Sequence, residues 1–202
     1  MKKLIALFLS LVMCICMFSG CDVDDIIEDE FENTKKHEKG ERVRLPIKDD
    51  MEFMFSSGAG GWRTELSLDP DGEFEGEYTD SEMGSTGEGY PRGTRYECEF
   101  EGYFTDIKKI NDYSYSMKIG QIALDDEPER EWIEDGILHI ASIPYGIEGG
   151  EEFIFYTPDT PISELDEGLL MWWPGRYEEV KSDTLSYYAI YNVKEQQAFF
   201  SY

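Results

Sequence analysis

Six glutamates at every second position are the first residues whose spacing could do chemistry: Glu73, Glu75 and Glu77, then Glu97, Glu99 and Glu101. Residues two apart on a strand share a face, so each trio lines one side of a strand. If the two strands are neighbours, like charges oppose one another, and cations or basic side chains must intervene. A close carboxylate pair could also imitate a glycosidase. With 44 Asp and Glu residues in the chain some such pair is unavoidable, so its presence carries no information. The trios are read as a solvated outer face.

Other constellations are thinner. Asp69-Pro70-Asp71-Gly72 begins like a calcium loop, but strand alternation resumes where further oxygen ligands would have to follow, so it is read as a turn. His37 and His139 are the only histidines, and His139, between Leu138 and Ile140, is expected as a satisfied strand residue. Cys98 falls on the apolar side of its strand and is expected to pack as a small hydrophobe. The chain has no His-Glu-x-x-His zinc helix, Gly-x-Ser-x-Gly elbow, Walker loop or Cys-x-x-Cys pair. It is therefore read as no enzyme, with no cofactor and no metal.

The elements that must position these residues are strands. Trp62, Thr64, Leu66 and Leu68 alternate with polar residues, and after the Asp69 to Gly72 turn Phe74, Gly76 and Tyr78 alternate with the first glutamate trio. Tyr96, Cys98, Phe100, Gly102 and Phe104 alternate with the second. Further strands are expected over residues 113–124, 136–140, 152–156, 186–192 and 198–202, and a helix from Pro161 to about Trp172, with Thr160 as its cap. Short sequential strands with one late helix predict an all-β fold, an antiparallel barrel or strongly curled sheet of about eight to ten strands.

Such a barrel would gather rings, and aromatic residues make up 14% of the chain. Trp62 and Tyr96 are expected to face inward beside the small residues Gly76 and Gly102, leaving a partly open interior. The glycine-rich loop from Asp80 to Gly93, carrying Tyr90 and Arg92, is expected over the mouth, with Trp172 and Trp173 closing another wall. The ligand expected there is small, neutral or cationic, with an apolar or sugar-like face. A filled core with a contiguous exposed patch would favour instead an acidic subunit holding a basic protein partner.

The N-terminus supplies an address. Met1-Lys2-Lys3 precedes an apolar run from Leu4 to Phe18, the pattern of an export signal over residues 1–20. Phe18-Ser19-Gly20-Cys21 resembles the bacterial lipobox, which implies a diacylglyceryl group on Cys21 and anchoring at the outer face of a cell membrane. Residues 21–50, charged and poor in apolar side chains, are read as a flexible stalk, leaving 51–202 as one β-rich domain. The formal net charge of −26 excludes nucleic acid as a partner and makes the lipid the only membrane contact.

Phe53-Met54-Phe55-Ser56-Ser57-Gly58-Ala59-Gly60-Gly61-Trp62, with Asp69-Pro70-Asp71-Gly72 and Met83-Gly84-Ser85-Thr86-Gly87-Glu88-Gly89-Tyr90-Pro91, resembles an uncharacterised family of exported domains from Gram-positive bacteria. That resemblance implies an architecture and no activity. Gly60-Gly61-Trp62 is also similar to the Gly-x-Trp motif that opens the first strand of lipocalins. The Arg that lipocalins place over this Trp has no counterpart, since Leu185 to Tyr202 carries only Lys194 as a basic residue.

Overall fold

The structure is a computed structural model that describes residues 43–58, 60–177 and 182–202. The expected export signal, Cys21 and most of the expected stalk lie outside the described residues. Ten strands occur among the described residues: β1 (Met51–Ser56), β2 (Trp62–Leu68), β3 (Glu73–Glu82), β4 (Thr94–Lys109), β5 (Ser114–Leu124), β6 (Glu131–Glu134), β7 (Ile137–Ala141), β8 (Glu152–Tyr156), β9 (Ala189–Asn192) and β10 (Gln197–Ser201). Eight of them run in the order β3-β2-β1-β10-β9-β8-β5-β4, and pairing between β3 and β4 closes the ring. All eight neighbours are antiparallel. β7 adds parallel to the start of β4 and carries β6 outside the barrel.

The alternation read from the sequence sets which side chains point inward. Thr64, Leu66, Leu68, Phe74, Cys98, Phe100 and Phe104 are buried, while the glutamates between them face out. The turn joining β2 to β3 closes as expected, with Asp69 Oδ1 accepting from the N–H groups of Asp71 and Glu73, each at 2.9 Å. Gly72 there has φ +96°, a conformation only glycine adopts without strain. β4 serves two neighbours by bending, and its register against β5 shifts between Gly102 and Phe104 and again before Lys108.

Three expectations need correction. Leu45 and Ile47 are buried in the barrel core, and Leu45 N–H donates to Pro70 O at 2.9 Å, so the packed domain begins ahead of Met51. The helix from Pro161 is broken: a 3-10 turn at Ile162–Glu164 precedes α1 (Glu167–Trp172). Leu165 and Asp166 between them are extended, because Leu165 packs into an apolar cluster and Asp166, not Thr160, caps α1 by accepting from Gly168 N–H at 2.8 Å. Finally, β6 was not foreseen. Its turn, Asp135-Gly136, has positive φ at both residues, as a tight primed hairpin turn requires.

Candidate functional site

The barrel interior is filled. Phe53, Phe55, Leu66, Leu68, Phe74, Phe100, Phe104, Met117, Phe153, Phe155, Ile190 and Phe199 form one buried cluster. The inward glycines, expected to leave room for a ligand, make room for rings. Gly76 lies opposite Phe100, and a Cβ there would come within 2.5 Å of the Phe100 ring; Gly102 lies opposite Phe74, with 2.6 Å to that ring. The rim where β1 ends and β2 begins is stopped by the connection from β7 to β8. Its Ile147 is 1% exposed, and its Tyr145 stands 4.8 Å edge-on from Trp62 and 5.4 Å from Phe55. Thr64 Oγ1 donates to Tyr145 O at 2.6 Å and Asn192 Nδ2 to Gly146 O at 3.1 Å, so the barrel wall holds this plug by its backbone.

One carboxyl enters with the plug. Glu148 Oε2 is buried and has no hydrogen-bond donor among the described residues. Burial pushes the Glu148 carboxyl up to about 7, Glu195 adds to this, and the N–H groups of Gly146, Ile147 and Glu148 pull the other way. The N–H groups of Ile147 and Glu148 are already committed to Pro144 O, at 3.1 and 3.0 Å. Nearby, burial raises Tyr78 to about 12 and the Cys98 thiol to about 12, with Glu148 contributing to both. Cys98 is thus an inert core residue, as its position on the strand suggested.

The six residues expected to bind ligand separate into four places. Trp62 and Trp172 meet at the plugged rim with ring centres 6.2 Å apart, each edge-on to Phe55 at 4.8 and 4.7 Å. Tyr96, half-buried on β4, stands opposite Asp80 and Ile140. Tyr90 and Arg92 do not cover the mouth. Tyr90 folds back on Gly87, while Arg92 donates from its N–H to Gly136 O at 2.9 Å and from its guanidinium to Asp135 O at 3.1 Å, tying the loop to the β6–β7 hairpin outside the barrel. Trp173, expected as a wall, is 5% exposed within a second apolar cluster between α1 and the outer faces of β8, β9 and β10.

The surface that remains open and aromatic lies beside Trp172. A groove of about 500 Å³ runs between the end of β1, the outer face of β10 and the segment after α1, and Trp172, Tyr187, Phe200 and Tyr202 supply its rings. Ser56, Ser57 and Ser201 bring hydroxyls to the same groove and Arg176 stands on its border. Trp172 is fixed there by its Nε1, which donates to Gln196 O at 2.8 Å. Tyr187, Phe200 and Tyr202 carry no signal as site residues, because they fall in the expected strands 186–192 and 198–202, where rings read as core; the broken helix that turns β10's outer face into a groove has no sequence signature.

A second depression is wholly different. The glutamate trios do sit on neighbouring strands, with Glu75 opposite Glu101 and Glu77 opposite both Glu99 and Glu65. Together with Glu52 and Asp125 they line a trench of about 420 Å³. Asp125 beside it raises the Glu99 carboxyl. Basic side chains intervene as expected: Arg63 Nε reaches Glu65 at 2.9 Å, and Arg95 reaches Glu97 at 2.9 Å and Glu77 at 3.9 Å. On β7, His139 takes its expected satisfied place, its Nδ1 3.0 Å from Glu97 Oε1 and its ring stacked on Trp132 at 5.1 Å.

Comparison with family models, with curated proteins and with solved structures gives no match.

Proposed function

We propose that this chain is an extracytoplasmic binding module, tethered through lipid on Cys21, whose groove beside Trp172 holds a small neutral ligand with a sugar-like face. The observation that carries this reading is the groove itself, four rings and three serine hydroxyls around about 500 Å³, on a barrel with a filled interior. A pyranose offers a C–H face that lies against rings and hydroxyls that meet polar groups at the edge, the combination small-ligand sites use. No catalytic step belongs to this reading.

Native mass spectrometry of the full chain purified from its own host tests it. The expected result is a retained small mass that denaturation releases and that Tyr202→Ala loses. Tyr202 is 69% exposed, so its truncation leaves the core alone. A bare chain, or a mass that persists in Tyr202→Ala, would overturn the proposal.

The trench supports a second reading, a subunit that holds a basic protein partner by charge complementarity. A co-purifying protein that leaves at high salt and is indifferent to Tyr202→Ala would favour it.

A further inference from the structure

Barrel closure removes sheet edges, but the outer ribbon brings one back. β6 is the one strand among the described residues with a single neighbour, β7. The register shows which of its main-chain groups are left over. Glu134 faces Ile137 across the two-residue Asp135-Gly136 turn, so that pair exchanges hydrogen bonds, and by antiparallel alternation Trp132 and His139 do the same. The rhythm continues beyond them, since Ala141 N–H donates to Arg130 O at 2.8 Å. Glu131 and Ile133 therefore turn their N–H and C=O groups away from β7, where nothing meets them among the described residues. Such an edge is a template for another extended chain.

We propose that β6 is a docking edge for an extended segment of a basic protein, which adds to the ribbon as a further strand. Charge selects the occupant. Residues 125–135 hold seven acidic side chains against one basic, Arg130, and that guanidinium is paired with Asp126 and stands 5.4 Å over the Trp132 ring. A second copy of this chain would set glutamate against glutamate along the new pair, which opposes self-association, whereas basic side chains turn the same charges into attraction. The two faces of β6 fix the pattern within the incoming strand. Ile133, 51% exposed, shares one face with Leu138 and Ile140. Trp132 and Glu134 share the other with His139, which is paired with Glu97. A strand that alternates apolar and basic residues meets both. No residue of β6 lines the groove or the trench, so the edge stands whatever those two bind.

The test is amide hydrogen exchange of the ¹⁵N-labelled full chain, read residue by residue with and without the end-capped peptide Lys-Val-Lys-Val-Lys-Val. The peptide is expected to slow exchange at Glu131 and Ile133 and to leave Trp132 and Glu134, whose N–H groups already bond to β7, unchanged. Ile133→Pro removes one outward donor at a position that β7 does not use, and should weaken the apparent Kd by about fivefold, the effect of losing one net main-chain hydrogen bond. The same peptide N-methylated at every amide, which keeps its charge but cannot donate, should give no such protection. If exchange at Glu131 and Ile133 in the parent does not respond to the peptide, the proposal is overturned, and a peptide seated in the trench instead would give that result. Protection spread evenly over all four residues would overturn it as general stiffening, and equal protection by the N-methylated peptide as charge attraction alone. Protection that grows with protein concentration before any peptide is added would overturn it in favour of an edge shared between copies.

Discussion

The outer face of β9 and β10 and the outer face of β3 and β4 belong to one barrel, yet they obey different rules. On the first, every residue of Ala189–Asn192 and of Gln197–Phe200 is buried, because α1 and its flanking segment cover the outside while the core takes the inside. On the second, buried rings alternate with glutamates that stand in water. A strand wet on one side must alternate, and a strand covered on both sides need not. The difference locates the two open sites as well: the aromatic groove lies where the cover over β10 stops, and the acidic trench lies where no cover exists.

The largest test of this comparison pairs one residue from each face. Phe200 points outward from β10 but is 7% exposed under the cover. Phe200→Ala should therefore cost about 3–5 kcal/mol, as a core truncation does, whereas Glu75→Ala on the wet face should change stability by no more than about 0.5 kcal/mol. Urea unfolding of both variants measures the contrast, and similar costs would mean that the cover over β10 is loose.

A somewhat smaller effect is expected inside. At Gly76 a Cβ would meet the Phe100 ring and the Glu65 carbonyl oxygen, each at 2.5 Å. The ring can turn, but the carbonyl belongs to the neighbouring strand, so Gly76→Ala should destabilise by about 1–3 kcal/mol through overpacking. An open interior would absorb the methyl group without cost, and a neutral result would revive the internal pocket.

These two positions also show what could be read from the sequence and what could not. The alternation of Phe74, Gly76 and Tyr78 with glutamates gave strand and face, because one wet face imposes a period of two, while the pairing of β3 with β4 is seen only in the register. Ala189-Ile190-Tyr191-Asn192 has no such period, and only the later cover explains why. The inward glycines were correctly placed but misread. From one chain a small residue looks like space, and only the register shows that a phenylalanine from the next strand occupies it. Likewise Trp62 and Trp172 could be named as neighbours of one site, while the plug carrying Tyr145 and Glu148, a loop by sequence, gave no sign that it would enter the barrel.

The plug gives a pH dependence. Glu148 has a carboxyl raised from 4.5 to about 7 in the folded state, so its contribution is fully present below about pH 4.5 and is lost as pH rises through 7. Since the group is only partly buried, the loss is about 1–2 kcal/mol once solvent screening is allowed for. Glu148→Gln should remove it. The variant should match the parent at pH 4.5 and exceed it at pH 8, as read by the difference in thermal midpoint. A parent-minus-variant difference that stays flat across that range would mean that water reaches the carboxyl and that the plug is not seated.

The smallest expected effect belongs to the acidic face. Its glutamates oppose one another across β2, β3 and β4, and Arg95 is the basic side chain that reaches both Glu77 and Glu97. All three side chains are partly exposed, at 41, 46 and 27% of their full area, so water and ions already screen them. An exposed pair of this kind contributes about 0.2–1 kcal/mol, and Arg95→Gln should cost that much at low ionic strength. Added monovalent salt acts in two directions here. It weakens the Arg95 pairs, and it also weakens the repulsion among the glutamates, which exposed like charges feel up to about 10 Å apart at 0.1 M. In the parent these changes partly cancel. In Arg95→Gln only the relief of repulsion remains, so the variant should gain more from salt than the parent and the gap between them should close. Phe200→Ala, whose loss is of packing and not of charge, should keep its full deficit at every salt concentration. If the Arg95 deficit persisted in high salt, the guanidinium would be acting through packing over the sheet and not through its charge, and the two faces of the barrel would differ less than their composition suggests.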